Sequence, residues 1–270
     1  MTRIDSTRLN EKEVLNLPAS ISNLRSLTEL WVSDNKLTRL PDSIGDLKSL
    51  TELHFFHNEL AHIPKSIGNL TSLTSLTIYE NNISSIPDSI CCLTSLTELH
   101  LGNNELTALP ESIGNMSSLT KLYVYGNKLT YIPDCVGNLS SLTHLCVDIN
   151  KLTELPESIG NLTSLEHLSV SGNGLTCIPD WVGKLSSLTR LDVDNNRLTS
   201  LPDCVGLLSS LSWLNVCYNQ ITLIPDSIRN LTCLTYLFVD NNPITSTQQG
   251  KDEIRKHFGR AGLEISVYHS

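Results

Sequence analysis

The chain has 270 residues, a net charge of −9 and 40% hydrophobic residues. This charge argues against binding to nucleic-acid phosphates, which needs a basic face, and against binding to anionic membrane surfaces. No apolar run approaches the roughly 20 residues of a membrane-spanning helix, and the segment MTRIDSTRLNEKEV lacks the apolar core of a signal peptide.

The eight cysteines are scattered and form no CxxC pair. This pattern indicates reduced thiols rather than a disulfide framework, so we expect a cytoplasmic protein. Five of the six Asn-x-Ser/Thr sequons lie inside one recurring phrase, (G/R)N(L/M)(T/S). Repetition of that phrase explains these sequons without glycosylation.

A 23-residue period organises the chain. Asparagine recurs at this spacing from Asn35 to Asn242, proline from Pro18 to Pro225, and leucine from Leu30 to Leu237. Self-similarity at a fixed period indicates a repeat architecture in which each unit buries its apolar face against its neighbours. We therefore predict about ten repeats over residues 19–246.

Each unit is predicted to contain a short strand, a turn and a helical segment. In the first unit, Leu30 and Val32 alternate as inward residues of a strand, and Asn35 follows where the backbone must turn. Pro41 then opens a 3-10 or short α turn. Stacked units are expected to pair their strands in parallel, with right-handed crossovers.

With its L-x-x-L-x-L-x-x-N-x-L motif, the chain resembles leucine-rich repeat proteins over about residues 20–245. The phrase L-P-x-x-I-G-x-L in a 23-residue unit is similar to the intracellular class: scaffolds of Ras signalling, plant Ras-group proteins, Roco-protein repeats and some bacterial effectors. The resemblance implies an α/β fold, a right-handed horseshoe-shaped solenoid. Its parallel sheet would be concave, with short 3-10 or α turns on the convex side.

Both ends depart from the repeat. Residues 1–18 are predicted to form an N-terminal cap, because Lys12 stands where the asparagine column would continue. Residues 247–270 are predicted to form a C-terminal cap, because Thr247 breaks the apolar pattern. The segment GKDEIRKHFGRAG has helical spacing, and LEISVYHS is expected to hold a last strand.

Four variable columns, which start at Glu29, Trp31, Ser33 and Asp34 and recur every 23 residues, are predicted to face the concave side or its edge. Nine of the fourteen aromatic residues fall in them, which favours a binding surface because aromatic residues are enriched at interfaces. The alternative is that aromatic residues favour strands and pack on one another across repeats. The predicted partner-binding residues are Trp31, His54, Phe56, His57, Tyr79, His100, Tyr123, Tyr125, His144, His167, Arg190, Asp192, Asp194, Trp213, Tyr236 and Phe238.

The stretch LTHLCVDIN places His144, Cys146 and Asp148 at strict alternation. With His167 on the next strand, His144 and Cys146 suggest a zinc site, but a further ligand or an open water position is needed. A Cys–His nucleophile would need an oxyanion hole that a flat sheet face does not offer. We therefore favour ordinary surface variation and expect no metal, cofactor or catalytic residue.

The sequence thus predicts a monomeric, non-enzymatic adaptor or scaffold that binds a protein partner on its concave face. One alternative is a bacterial effector acting in a host cytosol. Another is the regulatory repeat domain of a larger kinase, GTPase or ubiquitin ligase. A purely structural repeat without a dedicated ligand is the third.

Overall fold

The computed structural model describes residues 2–5, 16–258 and 264–266. Contacts divide the chain into two units, Met1–Leu142 and Thr143–Ser270, here called unit 1 and unit 2. The predicted cap residue Lys12 lies outside the described residues, as do residues 259–263 and 267–270 of the predicted C-terminal cap.

In its described residues, unit 1 has six parallel strands, each followed by a 3-10 helix. Strands β1–β6 are Arg3–Asp5, Glu29–Trp31, Glu52–His54, Ser75–Thr77, Glu98–His100 and Lys121–Tyr123. The 3-10 helices η1–η6 are Ala19–Asn23, Asp42–Asp46, Lys65–Asn69, Asp88–Cys92, Glu111–Asn115 and Asp134–Asn138. Each strand pairs in parallel with the next along the chain.

Unit 2 repeats this pattern and adds an α-helix. Strands β7–β12 are His144–Cys146, His167–Ser169, Arg190–Asp192, Trp213–Asn215, Tyr236–Phe238 and Glu264–Ser266. The 3-10 helices η7–η11 are Glu157–Asn161, Asp180–Lys184, Asp203–Leu207, Asp226–Asn230 and Pro243–Ser246, and α1 is Gln248–Phe258. These strands also pair in parallel in chain order. No helix among the described residues is both long and apolar enough to span a bilayer.

The apolar columns form the core of each unit. Leu30, Leu53 and Leu76 pair across neighbouring strands and are fully buried. Each of η1–η10 is preceded by a proline in extended conformation, such as Pro41 before η2 with φ −71° and ψ 146°. The predicted fold class, a parallel sheet with short 3-10 turns, is confirmed in both units.

The asparagine column forms a ladder of hydrogen bonds between neighbouring repeats. The side-chain oxygen of Asn81 accepts the Leu60 amide at 3.0 Å, and its amide nitrogen donates to the Phe55 carbonyl at 2.8 Å and to the Ile78 carbonyl at 3.3 Å. One side chain thus satisfies backbone groups of its own repeat and of the preceding one. This is why asparagine, which both donates and accepts, keeps the position.

The strands are shorter than the alternating pattern suggests. Each has three residues, so β7 contains His144 and Cys146 but ends before Asp148. Backbone hydrogen bonds between neighbouring repeats continue beyond the strand end, from the Val147 amide to the Ser169 carbonyl at 2.9 Å and from the Ile149 amide to the Ser171 carbonyl at 2.8 Å. The fourth variable column turns into the left-handed region. All ten residues of that column have φ between 50° and 63°: Asp34, His57, Glu80, Asn103, Gly126, Ile149, Gly172, Asn195, Tyr218 and Asn241.

Ile149 is the one β-branched residue in this left-handed column, with φ 50° and a side chain that is 64% exposed. Replacing Ile149 with asparagine is expected to raise the free energy of unfolding by about 1 kcal/mol, because asparagine tolerates this conformation far better. Urea unfolding measures the change. The reciprocal Asn195→Ile variant should lower the free energy of unfolding by a similar amount. A lower free energy of unfolding for Ile149→Asn would contradict backbone strain at residue 149.

Candidate functional site

The sheet face of unit 1 carries a stripe of rings on its outward side. We call these residues the aromatic stripe: Trp31, His54, Phe56, Tyr79, His100, Tyr123 and Tyr125. Trp31, His54, His100 and Tyr123 are the last residues of their strands, and the other three lie two residues beyond a strand end. The predicted unit 1 residues are therefore brought together, with His57 beside them in the left-handed column.

The rings of the stripe pack in pairs. Trp31 and His54 stack with centroids 3.9 Å apart, and Phe56 and Tyr79 stack at 4.9 Å with nearly parallel planes. Packing across repeats, which the sequence left as an alternative, therefore occurs. Phe56 and Tyr79 are only half-buried after pairing, whereas His54 is buried.

Gly102 has a role that its place in a variable column did not reveal. A Cβ atom at this position would lie 2.4 to 2.7 Å from three atoms of the Tyr125 ring. The ring therefore lies directly against the glycine backbone. Glycine is needed here because any larger residue would displace Tyr125 from the stripe.

Carboxylates flank the stripe on both edges and pair mainly with histidines. Glu52 lies 3.4 Å from His54, while His57 lies between Asp34 at 3.2 Å and Glu80 at 2.5 Å. Glu98 lies 3.5 Å from His100 and in addition accepts from the Lys121 ammonium at 2.7 Å, which holds the pKa of Glu98 below its usual value.

Two histidines of the stripe should make stability depend on pH. Burial lowers the pKa of His54 and of His100, against the opposing effects of Glu52 and Glu98. The unfolded chain therefore binds more protons than the folded chain. The contribution of these two histidines to the free energy of unfolding is present above about pH 6.5 and is lost as the pH falls through their folded-state pKa values.

The expected result is an unfolding midpoint in urea that decreases between about pH 7.5 and about pH 5.5. The His54→Gln/His100→Gln variant should decrease less over the same interval, because it lacks the two histidines. A slope as steep as that of the wild type would show that other groups control the dependence.

The sheet face of unit 2 begins with a histidine pair. His144 and His167 are direct partners across β7 and β8, with ring centroids 5.6 Å apart and nearly perpendicular planes. Further along, Trp213 lies 5.2 Å from Tyr236 and 4.6 Å from Phe238. These last three residues form a second aromatic group, here called the unit 2 cluster.

Asp192 connects the two ends of this face. Its carboxylate accepts hydrogen bonds from His167 Nε2 at 3.3 Å, Arg190 Nε at 2.5 Å and Trp213 Nε1 at 2.8 Å. Burial would raise the pKa of Asp192, but these three donors outweigh it and the pKa lies below its ordinary value. Because Asp192 is only 5% exposed, it positions Arg190 and Trp213 rather than presenting its own charge.

Asp194, also predicted as a partner-binding residue, is held within the same face. Its Oδ1 accepts from Ser171 Oγ at 2.5 Å and from Asn215 Nδ2 at 3.0 Å. Both aspartates thus join neighbouring repeats. Their internal bonds were not evident from the sequence, since they depend on which rotamers meet across strands.

The Cys146 thiol is poorly suited to metal or nucleophilic chemistry. Cys146 is 6% exposed, and burial raises its pKa to about 12, so the thiol stays protonated at neutral pH. Asp148 accepts from the Ser169 hydroxyl and from the Ser171 amide instead of facing Cys146. Across the described part of the chain, no three His, Cys, Asp or Glu side chains are grouped so as to hold a metal ion.

Two exposed apolar residues beside the unit 2 face were missing from the predicted set. Tyr218 is 57% exposed and Ile149 is 64% exposed. Both stand in the left-handed fourth column, where a large apolar residue is unusual among aspartate, asparagine and glycine. That contrast within the column is the signal that could have found them.

Comparison with family models supports the repeat assignment over most of the chain. The model described as a leucine-rich repeat region matches residues 7–101, 56–122 and 87–174. Two further leucine-rich repeat models match residues 186–244 and 163–204. Comparison with curated proteins finds none that matches.

Solved structures with the same architecture come from bacteria and plants. A leucine-rich repeat protein of Leptospira interrogans is 32% identical with a TM-score of 0.76, covering 94% of this chain and 76% of that one. The plant peptide hormone receptor RGFR1 in complex with RGF2 is 32% identical with a TM-score of 0.76, covering 84% of this chain and 38% of the receptor. An internalin of Listeria monocytogenes is 27% identical with a TM-score of 0.72, covering 81% of this chain and 63% of the internalin.

Proposed function

Because the chain belongs to the leucine-rich repeat family, we propose that it is a non-enzymatic interaction module that binds a protein partner on the sheet face. The module would act as a monomeric adaptor or scaffold in the cytoplasm. All eight cysteines are free thiols, which supports a reducing compartment. The structural likeness to a receptor in complex with RGF2 supports recognition of a polypeptide.

The aromatic stripe of unit 1 is the observation that carries this proposal. Tryptophan and tyrosine are enriched where binding energy concentrates, because they bury a large area at a low cost in side-chain entropy. The stacked pairs Trp31–His54 and Phe56–Tyr79 are already ordered by each other, which reduces that cost further. A partner laid across the strands would contact several repeats at once.

Affinity capture from cell lysate tests the proposal with a matched pair of variants. Tyr123→Ala/Tyr125→Ala removes two rings from the stripe, whereas Tyr131→Ala removes a 47%-exposed ring that lies outside the four columns of the same repeat. Wild type and Tyr131→Ala should recover the same partners, and the double variant should lose them. Equal recovery by all three would overturn the proposal.

A further inference from the structure

Two arginines show how a guanidinium group docks on the sheet face of this chain. Arg3 lies 5.1 Å from the centroid of the Trp31 ring, and its Nε is 3.4 Å from a Glu29 carboxylate oxygen. Arg190 lies 4.2 Å from the Trp213 ring and pairs with Asp192 at 2.5 Å. In both places the planar cation contacts a ring and a neighbouring carboxylate together, as guanidinium chemistry favours.

A third place on the face has the ring and the carboxylates, but a histidine stands between them. Phe56 and Tyr79 stack at 4.9 Å, and the His57 ring meets both edge to face at 5.7 Å. His57 also contacts Asp34 and Glu80 on its two sides. Even when protonated, this imidazole supplies one positive charge for two carboxylates.

The two carboxylates remain accessible. The side chains of Asp34 and Glu80 are 56% and 41% exposed, and both lie in the left-handed column at the edge of the face. In contrast, Glu29 and Glu98 on the opposite edge already pair with Arg3 and Lys121. Beside the Phe56–Tyr79 stack, two exposed carboxylates thus share a single imidazole, on a chain whose net charge is −9.

We propose that Asp34, Phe56, His57, Tyr79 and Glu80 form a subsite for an arginine side chain of the protein partner. This inference rests on the proposed function, since it assigns a partner chemistry to the same sheet face. The guanidinium would lie on the Phe56–Tyr79 stack and pair with Glu80 and Asp34. Arginine suits the subsite better than lysine, because its planar group stacks on a ring while donating to carboxylates.

Fluorescence anisotropy with a labelled glycine–serine peptide that carries arginines tests the subsite. The control peptide has citrulline at each arginine, which removes the charge and keeps the shape. Wild-type protein at low ionic strength should bind the arginine peptide about tenfold or more tightly than the citrulline peptide, as expected for a charge pair combined with a ring contact. Equal binding of the two peptides would overturn the subsite without the use of any variant.

Matched charge variants locate the binding. Asp34→Asn/Glu80→Gln should bind the arginine peptide about tenfold more weakly, and asparagine tolerates the left-handed backbone of residue 34. Asp42→Asn/Asp46→Asn removes the same charge from the exposed ends of η2 and should bind like wild type. Equal losses in both variants would mean general attraction to an acidic protein and would overturn the subsite.

The two proposals can fail separately. If Tyr123→Ala/Tyr125→Ala loses the captured partner while Asp34→Asn/Glu80→Gln binds the arginine peptide like wild type, the arginine subsite is wrong and the sheet-face function stands. If the tyrosine variant captures its partners unchanged, the sheet-face function is wrong whatever the peptides do.

Discussion

Replacing Asn104 with alanine is expected to lower the free energy of unfolding by about 4 kcal/mol. The Asn104 side chain is 5% exposed and makes four hydrogen bonds to the backbone. Its oxygen accepts the Ile83 amide at 3.0 Å, and its nitrogen donates to the Ile78 carbonyl at 2.9 Å and to the Leu101 and Gly102 carbonyls at 3.1 Å each. Alanine would leave the Ile83 amide without a partner, which costs about 1–3 kcal/mol. The three carbonyls keep other donors, the Asn81 and Asn127 side chains and the Glu80 amide, but each loses one hydrogen bond worth about 0.5–1.5 kcal/mol.

Urea unfolding followed by circular dichroism measures this effect. Asn82→Ala provides the control, because the Asn82 side chain is exposed and stands just after the ladder residue Asn81. The control should change the free energy of unfolding by less than about 0.5 kcal/mol. Similar midpoints for the two variants would show that the ladder contributes far less than its hydrogen bonds indicate.

The second large effect is expected for Gly206→Ala, at about 2–3 kcal/mol of destabilisation. A Cβ atom on Gly206 would lie 2.3 Å from the Ser227 carbonyl oxygen and 2.7 Å from the Ser227 Cβ. The obstacle is backbone of the next 3-10 helix, so no side-chain rotation relieves it. Gly45 and Gly68 face Ser66 and Ser89 in the same way, which explains the recurring glycine of the L-P-x-x-I-G-x-L phrase.

A loss of stability in Gly206→Ala would be opposite in sign to the usual effect of replacing glycine by alanine. Replacing glycine by alanine at an unstrained position usually stabilises a protein by about 0.4–1 kcal/mol through the unfolded chain. Gly174→Ala is the control, since the nearest atom to its added Cβ, the Leu152 carbonyl oxygen, is 3.3 Å away. A Gly206→Ala variant as stable as Gly174→Ala would contradict the close contact between η9 and η10.

The repeat predicted the fold because its fixed columns have one backbone role each. The asparagine column, of which Asn81 is a member, satisfies turn groups, and prolines such as Pro41 precede 3-10 helices. The left-handed column was harder to recognise, because Ile149 and Tyr218 conceal the pattern that its glycines and asparagines set. The left-handed turn after each strand was therefore missed.

Prediction of the candidate site was limited by contacts between repeats. The columns predicted that the rings lie on the sheet face, and in each unit the structure has them there. They could not reveal that Asp192 is buried under Arg190 and Trp213, or that Gly102 accommodates the Tyr125 ring. Such details depend on side-chain conformations in two neighbouring units, and a periodic pattern carries no information about them.

The central claim is that recognition occurs on the sheet face, and photo-cross-linking tests it most directly. Benzoylphenylalanine replaces either Tyr123, on the aromatic stripe, or Tyr131, which is 47% exposed outside the variable columns. Each protein is irradiated together with the partner that wild type captures. Recognition on the sheet face predicts a cross-linked product from position 123 and none from position 131. Cross-linking at position 131 alone, or in equal yield at both, would contradict it.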